Sequence, residues 1–583
     1  MVVSPLQAEN SPLTRGVYLT LNGGPWKDAE RLEVVGSGPL VAVLGAVSYK
    51  ANHAPCTLWR GLGAVRWSCH VPQAGPGMSP RLDLKSLLGL FGLWLALRIV
   101  FFEGLWGYDD LYHVNWAVHP RVPVDVWEAR LLFNGLLWVS HALFGFSEAA
   151  FSLPTMLGSL MILGSALWAA GRLLDGRAAL LAGLGVAILA GDILRATDPM
   201  ANPLSAGFAS VGIAALLTSP TLASRRAAVA GVALGLSVYT HLATLFAVLP
   251  IVAAWALAER TRARALAAAF VLCVAGATSV VLELGVMGLV SGDPLLHPKL
   301  LSSTHLQIQQ YIVPPHLPDG TWNPEWFTWP FQNLILSKDF GLFLSLPVGL
   351  ALLRWRALSS EVRFLVGCVL LGWFWLSFGT QHPLGYAPLD HQTRYWHALA
   401  MPGVVLAVAM YRTLSGVWTR RGYVAALVVP MPLILLGSGS WGQNVEVSRT
   451  LLAYAQASPE RVFVTDPYTY DEMYVLVGCA PPPANVRVPL GLPEPEFHKP
   501  PRSAGVDLNS PDLAVLVNVL NYGRVRSEAL GRLVETELVS TPIGEPAWRH
   551  FARLLPDDVR AQHPWMMRHP APTLAVRRPS LGE

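Results

Sequence analysis

Long apolar segments recur along the chain from about residue 84 to residue 440, and short polar or basic stretches separate them. Continuous apolar segments of this length are typical of helices that cross a lipid bilayer. They predict about eleven transmembrane helices, at 84–103, 151–171, 178–194, 203–219, 226–240, 242–258, 265–290, 340–353, 363–379, 396–411 and 422–440. The expected fold class is therefore an all-α polytopic membrane bundle.

The first 77 residues have a different pattern. Gly, Pro and Ser are scattered through them without a period, and the best apolar run, at 38–47, is about half the length that spans hydrocarbon. It predicts neither a signal peptide nor a membrane helix. At Met78 a short basic head precedes the first long apolar segment. We expect Met78 to be the true start, and residues 1–77 to be a poorly structured or wrongly assigned extension of the 78–440 transmembrane domain.

The C-terminal segment, residues 441–583, is not predicted to lie in lipid. Its apolar runs, such as RVFVTD, MYVLVG and LAVLVNVL, have the length of strands and are separated by Pro-rich turns and amphipathic stretches. This pattern predicts a small α/β domain outside the membrane.

Composition agrees with a membrane location. Of the 583 residues 52% are hydrophobic and 14% are charged, whereas soluble domains average about 25% charged residues. This excludes a disordered chain, a fibre and an ordinary cytosolic enzyme. The formal net charge of +4 is too small to indicate a nucleic-acid partner.

The distribution of basic residues predicts the orientation of the bundle. With the N-terminal flank in the cytoplasm, fifteen Lys and Arg residues lie near helix ends on that side. The opposite connections up to residue 395 hold six, namely Arg121, Arg130, Arg195, Lys299, Lys338 and Arg394. By the positive-inside rule, the long loops and the C-terminal domain face outward, as expected for a multi-pass protein of the bacterial inner membrane.

An acidic pair stands out in the first outer loop. Asp109 and Asp110 follow the first predicted helix and lie among Trp106, Tyr108 and Tyr112. Charged side chains at a membrane are costly unless they have a partner or a role, and a carboxylate in a partly dry cleft is suited to act as a general base. The alternative is a pair of solvated loop acids among aromatic residues that sit at the headgroup level.

The sequence around this pair, GYDDLYHVNWA, resembles the acidic signature in the first outer loop of GT-C fold glycosyltransferases, the group of the bacterial aminoarabinose transferases and protein O-mannosyltransferases. Three further segments resemble landmarks of that family in the same order. They are LFGFSEAAFSLPTMLGSL, RATDPMANPLSAGF and HQTRYWHALAMPGVVLAVA. The resemblance covers about residues 84–440.

The resemblance implies an inverting glycosyltransferase whose donor is a sugar on a polyprenyl phosphate and whose acceptor is a glycan, lipid or protein. Asp109 would be the catalytic base, and Asp110 would support it in place of the Glu that the family more often has. Asp198 would assist near the site. The alternative for Asp198 is an N-terminal cap of the helix that follows Pro199.

A leaving lipid phosphate requires positive charge or a metal. Arg394, Tyr395 and Arg130 are the candidate donor phosphate-binding residues, Arg394 because it is nearly alone on a face poor in basic residues. The resemblance gives Glu128 and His305 as counterparts of the family's ligands of a divalent metal ion. A guanidinium fork suits phosphate, although Arg394 at a helix start also fits an interfacial anchor, and an outer histidine is often a surface residue. His241, between two predicted helices, is a weaker candidate for the same cleft.

Two other classes of function remain as alternatives. A transporter or lipid flippase would be expected to show internal repeats and matched broken helices at mid-membrane, and the sequence has no such repeat. An anchor for a membrane complex would leave the acidic pair unexplained.

Overall fold

The computed structural model describes most of the chain between residues 83 and 488. The described residues are 32–34, 56–61, 64–69, 83–105, 107–217, 224–258, 261–301, 321–335, 337, 339–379, 393–438, 443–488, 495, 497–498, 514–515, 538–542 and 573–577. The chain forms two compact units, Met1–Ser79 and Pro80–Glu583.

The N-terminal unit contains a three-stranded antiparallel sheet. Its strands are β1 (Leu32–Val34), β2 (Cys56–Gly61) and β3 (Ala64–Cys69), in the order β1-β3-β2. The β2–β3 pair is a hairpin in which Cys56 is opposite Cys69.

The second unit is a bundle of helices. Its described helices are α1 (Leu84–Val100), α2 (Tyr108–Val118), α3 (Leu131–Phe144), α4 (Glu148–Phe151), α5 (Leu153–Leu173), α6 (Gly176–Ile188), α7 (Ala190–Arg195), α8 (Ala201–Leu217), α9 (Ser224–Thr240), α10 (Leu245–Ala258), α11 (Arg262–Ser291), α12 (Pro324–Ile335), α13 (Ser345–Leu353), α14 (Ser360–Phe378), α15 (Ala400–Thr413), α16 (Val417–Val428), α17 (Pro430–Ser438), α18 (Gln443–Ala457) and α19 (Pro467–Leu476). Short 3-10 helices lie at Leu242–Thr244, Trp355–Ala357 and Thr393–Leu399.

A helix lies within each of the eleven segments predicted to span the membrane. Two of those segments are broken in the structure: 178–194 divides into α6 and α7 at Leu189, and 422–440 divides into α16 and α17 at Val429, before Pro430. Among the described residues, α5, α11 and α14 are long and apolar enough to cross a membrane. The structure therefore establishes the helical character of the bundle, and the number of eleven crossings stays a prediction.

Large apolar side chains cover much of the outer surface of the bundle. Leu289 is 88% exposed, Leu353 84% and Val281 68%. Exposed leucine and valine in such number would be unfavourable in water, but they match a surface that contacts lipid tails. The same surface explains why composition alone predicts a membrane protein.

Helices α5 and α8 cross at two glycines. A Cβ atom on Gly158 would lie 2.3 Å from the carbonyl oxygen of Pro203, and one on Gly207 would lie 2.7 Å from the carbonyl oxygen of Gly158. Small residues permit such a close approach of two backbones, which is a common device in membrane bundles. The crossing fixes the start of α8, and with it Asp198 and Asn202.

The C-terminal part of the chain packs against α2. Strands β4 (Phe463–Val464), β5 (Val486–Arg487) and β6 (Ala514–Val515) form a parallel sheet in the order β5-β4-β6, and β7 (Leu538–Pro542) pairs with β8 (Thr573–Arg577). Tyr474 and Val475 of α19 share a hydrophobic cluster with Leu111 and Val114 of α2. The ring nitrogen Nε2 of His119 is 3.0 Å from the carbonyl oxygen of Cys479.

We predict that Gly158→Ala lowers the thermal stability of the purified protein. The added methyl group overlaps backbone atoms of α8, which cannot move aside as a flexible side chain can, and overpacking of this kind costs about 1–3 kcal/mol. Gly164→Ala on the same helix is the control, because a Cβ atom there has no neighbour within 4 Å. Thermal unfolding in detergent measures both variants, and an equal melting temperature for the two would contradict this account of the crossing.

Candidate active site

The turn before α2 presents Asp109 at the first turn of that helix. Gly107 has φ of +144°, a conformation that favours glycine. Its N–H donates to the carboxylate of Asp110, at 3.0 Å to Oδ1, which is the reciprocal half of a capping box. Asp110 is fully buried. This contact with the end of its own helix fixes the turn that positions Asp109.

Asp109 pairs with Arg394 from a distant part of the chain. Nη1 of Arg394 donates to Oδ2 of Asp109 at 3.1 Å, across 285 positions in sequence. The two side chains remain partly accessible, at 17% and 16% exposure. The guanidinium of Arg394 lies 5.5 Å from the ring centroid of Tyr395. Three of the residues predicted from sequence thus meet in one partly open cluster.

The segment that carries Arg394 is held at both ends. Thr393 donates its hydroxyl to the carboxylate of Asp339, and Nε2 of His397 lies 2.8 Å from Oδ1 of Asp192. Asp339 precedes α13, whereas Asp192 belongs to α7. Arg394 therefore lies between two anchors in a short 3-10 helix and has little freedom of backbone position.

Asp192 is the centre of a fully buried polar network. Besides His397, its carboxylate binds the guanidinium of Arg98, and it accepts from Oγ of Ser159 at 2.6 Å. Trp94 Nε1 donates to the same Ser159 oxygen at 3.0 Å. A buried charge requires such compensation. The network connects α1, α5 and α7 to the segment of Arg394.

Asp198 is buried close to this cluster. Its Oδ2 atom lies 3.3 Å from Nη1 of Arg195, and its Oδ1 atom has no hydrogen-bond partner among the described residues. Burial raises the pKa of the Asp198 carboxyl to about 6, while Arg195 and Arg394 oppose the rise and Asp109 adds to it. Asp198 therefore interacts electrostatically with the ion pair of Arg394 and Asp109.

Arg130 approaches Asp109 from the start of α3. Burial lowers the pKa of the Arg130 guanidinium, and the charge of Asp109 acts in the opposite direction. Nη1 of Arg130 is 3.3 Å from Nε2 of His113, and Nδ1 of His113 is 2.7 Å from Oδ1 of Asn134. His113 and Asn134 were not among the residues predicted from sequence. The signal available for His113 is its spacing of four residues from Asp109, which places both on one face once α2 is known to be helical.

A small polar cavity lies beside Arg394. Asn202, His241, Thr244, Tyr395 and His397 are among the residues that line it. Within the described part of the chain, neither Oδ1 of Asn202 nor Nδ1 of His397 has a hydrogen-bond partner. The ring of His241 lies 5.8 Å from that of Tyr395. His241, a weak candidate in the sequence, is therefore a neighbour of the Arg394 cluster.

Of the two residues predicted as metal ligands, only Glu128 lies within the described structure, so the pair stays a prediction. Glu128 is buried, and its carboxylate accepts from the guanidinium of Arg121 and from the backbone N–H of Val124 at 3.0 Å. His305 lies outside the described residues. No group of three or more His, Cys, Asp or Glu side chains in the described ranges is arranged to hold a metal ion. Glu128 instead stabilises the loop that ends at Arg130.

That loop also contains a second perturbed carboxyl group. Oδ1 of Asp125 accepts from the backbone N–H groups of Trp127 and Glu128, each at 2.8 Å. Burial raises the pKa of Asp125 to about 6, although those two hydrogen bonds oppose the change. The turn that these bonds close positions the start of α3.

Comparisons with known proteins bear on the fold. No protein-family model matches the sequence, and no curated protein matches it. Among solved structures, the chain is similar to ArnT from Cupriavidus metallidurans in the apo state, with 13% identity and a TM-score of 0.50 over 78% of this chain and 96% of that one. The same protein bound to undecaprenyl phosphate gives 14% identity and a TM-score of 0.42 over 80% and 97%. An oligosaccharyltransferase from Archaeoglobus fulgidus, in complex with Zn and sulfate, gives 13% and 0.45 over 75% and 68%.

The similarity to the apo ArnT structure shows that this chain has the GT-C fold of membrane glycosyltransferases. The recognition made from four sequence segments is therefore confirmed at the level of the fold. The roles of individual residues are a separate question, because they depend on the side chains of this chain.

We predict that Asp198→Asn changes the pH dependence of folding stability. The pKa of about 6 in the folded protein exceeds the ordinary value near 3.8, so the carboxyl contributes its stability below pH 4 and loses it as the pH rises through 6. The variant lacks this titration. Between pH 4.5 and 7.5 we expect its melting temperature to fall less than that of the wild type.

Asp293→Asn is the control for this experiment, because Asp293 is exposed and pairs with Lys299 at 2.5 Å. It should retain the wild-type pH dependence over that interval. Identical slopes for the wild type and Asp198→Asn would contradict a buried, raised carboxyl group at position 198.

Proposed function

We propose that this protein is an inverting glycosyltransferase that moves a sugar from a polyprenyl phosphate to an acceptor hydroxyl or phosphate. The observation that carries the proposal is the partly accessible ion pair of Asp109 with Arg394, with which Arg130 and the buried Asp198 interact electrostatically. An acid that can accept a proton and cations that can bind phosphate are the two requirements of this reaction. The GT-C fold supplies independent support for the class.

Arg394 and Arg130 are the proposed ligands of the donor phosphate. The donor is a phosphodiester, and its phosphate gains a negative charge as the sugar departs, so fixed cations stabilise the transition state more than the ground state. Guanidinium groups provide paired donors for phosphate oxygens. Tyr395 lies against Arg394 and offers a phenolic donor beside it. ArnT from Cupriavidus metallidurans, which shares the fold, has been solved with undecaprenyl phosphate.

Asp109 is the proposed general base. The oxygen of the acceptor hydroxyl forms a bond to the anomeric carbon, its proton moves to a carboxylate oxygen of Asp109, and the bond from the anomeric carbon to the phosphate oxygen breaks. The electron pair of that bond leaves on the polyprenyl phosphate. Because attack and departure occur on opposite faces, the anomeric configuration inverts, through an oxocarbenium-like state.

The ion pair of Arg394 with Asp109 couples donor binding to the base. In the structure, Arg394 donates a hydrogen bond to the carboxylate of Asp109. A bound phosphate competes for the same guanidinium and weakens its hold on the carboxylate. The carboxylate oxygen that Arg394 contacts is then available to accept a hydrogen bond from the acceptor hydroxyl.

Asp198 is proposed to orient the substrates. Its Oδ1 atom, buried and without a partner in the described structure, is an acceptor for a sugar or acceptor hydroxyl. Asp110 supports the reaction indirectly through the turn at Gly107. Glu128 is engaged by Arg121, and no metal donor set forms among the described residues, so no step here is assigned to a metal.

The remaining parts of the proposal concern organisation in the cell. Residues 78–440 form the catalytic transmembrane domain, with the N-terminus in the cytoplasm and the acidic cluster on the outer face of a bacterial inner membrane. Residues 441–583 form an extracytoplasmic domain. The contact of α19 with α2 gives this domain a direct connection to the helix of Asp109 and thereby a route to influence acceptor use.

We predict that Asp109→Asn abolishes transfer while the protein still folds and still binds donor. Loss of a positioned base typically reduces the rate by about 10²–10⁴-fold. Purified protein is incubated with a panel of polyprenyl-phosphate sugars and acceptors, and mass spectrometry measures the release of polyprenyl phosphate and the glycosylated product. Asp293→Asn, which removes an acid that pairs with Lys299, should retain the wild-type rate. Unchanged transfer by Asp109→Asn would refute its role as base.

We predict that Arg394→Gln weakens donor binding and also slows transfer. The variant removes a cation from the phosphate site, and a charge-assisted hydrogen bond is worth about 1.5–3 kcal/mol, so the KM for donor should rise at least tenfold. Arg412→Gln is the matched control, because Arg412 lies at the other end of α15 and pairs with Asp175 at 2.6 Å. Equal KM values for the two variants would argue against phosphate binding by Arg394.

A further inference from the structure

Four polar side chains meet where α2 packs against α3. Asp109 and His113 are four residues apart on α2, so they lie on one face of that helix. Arg130 and Asn134 have the same spacing at the start of α3. His113 and Asn134 are fully buried, whereas Arg130 is partly accessible. His113 and Asn134 have no reactive role in the proposed mechanism.

The backbone determines how the amide of Asn134 is oriented. Its Nδ2 atom lies 2.9 Å from the carbonyl oxygen of Trp127 and 2.8 Å from that of Glu128. A carbonyl oxygen can only accept a hydrogen bond, so the amide NH₂ must point toward these two oxygens. The Oδ1 atom of Asn134 therefore faces His113 as an acceptor.

This orientation determines the protonation of His113. The imidazole Nδ1, 2.7 Å from Oδ1 of Asn134, must carry a hydrogen in order to donate to it. The other nitrogen, Nε2, faces Nη1 of Arg130 at 3.3 Å. An arginine N–H can only donate, so Nε2 must present its lone pair. His113 is thus neutral, and its Nε2 atom accepts a hydrogen bond from the guanidinium of Arg130.

The surroundings of His113 favour the neutral form. Burial and the charge of Arg130 hold the pKa of His113 well below its usual range, with the bond to Asn134 acting in the opposite direction. The ring of Phe133 contacts the imidazole edge to face, with 5.0 Å between the ring centroids. A protonated His113 would repel Arg130 and lose its acceptor.

We propose that His113 is a positioning residue that holds the guanidinium of Arg130 beside Asp109 by accepting its hydrogen bond. Two backbone carbonyls orient the amide of Asn134, Asn134 orients the ring of His113, and His113 accepts from Arg130. Each atom in these contacts can act only as a donor or only as an acceptor. What Arg130 binds rests on the proposed function. That His113 positions Arg130 rests on these hydrogen bonds alone.

A double-mutant cycle tests whether His113 acts through Arg130. The variants are His113→Phe, Arg130→Gln and the combination, and the probe is undecaprenyl phosphate, whose Kd is measured with the purified protein. We expect His113→Phe to weaken binding about tenfold, and the double variant to bind no more weakly than Arg130→Gln. If the two residues contributed independently to binding, the two losses of affinity would multiply in the double variant. A multiplied loss would overturn the proposal.

The conservative variant His113→Gln separates positioning from packing. The amide oxygen of glutamine can reach the place of Nε2 and accept from Arg130, so this variant should recover part of the affinity lost in His113→Phe. Recovery in the His113→Gln single variant should disappear when Arg130 is also replaced by Gln. Failure of His113→Gln to bind better than His113→Phe would count against the hydrogen bond.

A second readout does not depend on the proposed function. Phenylglyoxal modifies accessible arginine, and mass spectrometry measures the rate at Arg130. His113→Phe should increase that rate severalfold, because the guanidinium is no longer held. His119→Phe, at the opposite end of α2, should leave the rate unchanged, since His119 contacts Cys479. An unchanged rate in His113→Phe would refute the positioning of Arg130. A wild type that does not bind undecaprenyl phosphate would refute the donor assignment and leave this readout intact.

Discussion

A charge inside an apolar bundle must be paired, and this constraint organises the site. Removing an ion from water costs several kcal/mol even after relaxation, so each buried charge draws a partner from another helix. Asp192 joins Arg98, Ser159 and His397 in this way. Because the partners come from α1, α5 and the segment of Arg394, electrostatic compensation in the interior sets the position of the cation at the surface. The ion pair of Arg394 with Asp109 therefore depends on the buried ion pair of Asp192 with Arg98.

The backbone around the site is restrained by polar contacts to short segments. Thr197 is an example: its hydroxyl accepts from the backbone N–H of Glu103, and its carbonyl oxygen accepts from Oγ of Ser152 at 2.6 Å. Together with the close crossing of α5 and α8 at Gly158, these bonds locate Asp198 within its surroundings. A backbone segment held by several hydrogen bonds has few alternative conformations. This restraint suits a reaction that requires carboxylates and cations at defined separations.

Two residues selected from sequence for chemistry also have structural contacts. Asp110 caps its own helix, and Glu128 is engaged by Arg121. An acidic residue near a helix start or in a tight loop can have a chemical role or a structural one, and the local sequence is the same in both cases. The C-terminal part adds a connection that local patterns do not reveal, because Phe497 contacts the ring of Tyr112 at 4.8 Å between centroids on the helix that carries Asp109.

The sequence by itself determined the class of the fold and indicated several of the charged groups that the structure brings together. Apolar segment length predicts helices in a membrane regardless of how they pack, and the resemblance to a family in four segments directed attention to Asp109, Asp198 and Arg394. The helices α2 and α3 were not predicted, because both are shorter than a membrane span. In addition, Asn134 and His141 interrupt the apolar sequence of α3. Which groups meet was decided by tertiary structure alone. The roles of His113 and His397 depend on partners up to 205 residues away, and pairing at that distance follows from helix packing, which no periodicity in the chain encodes.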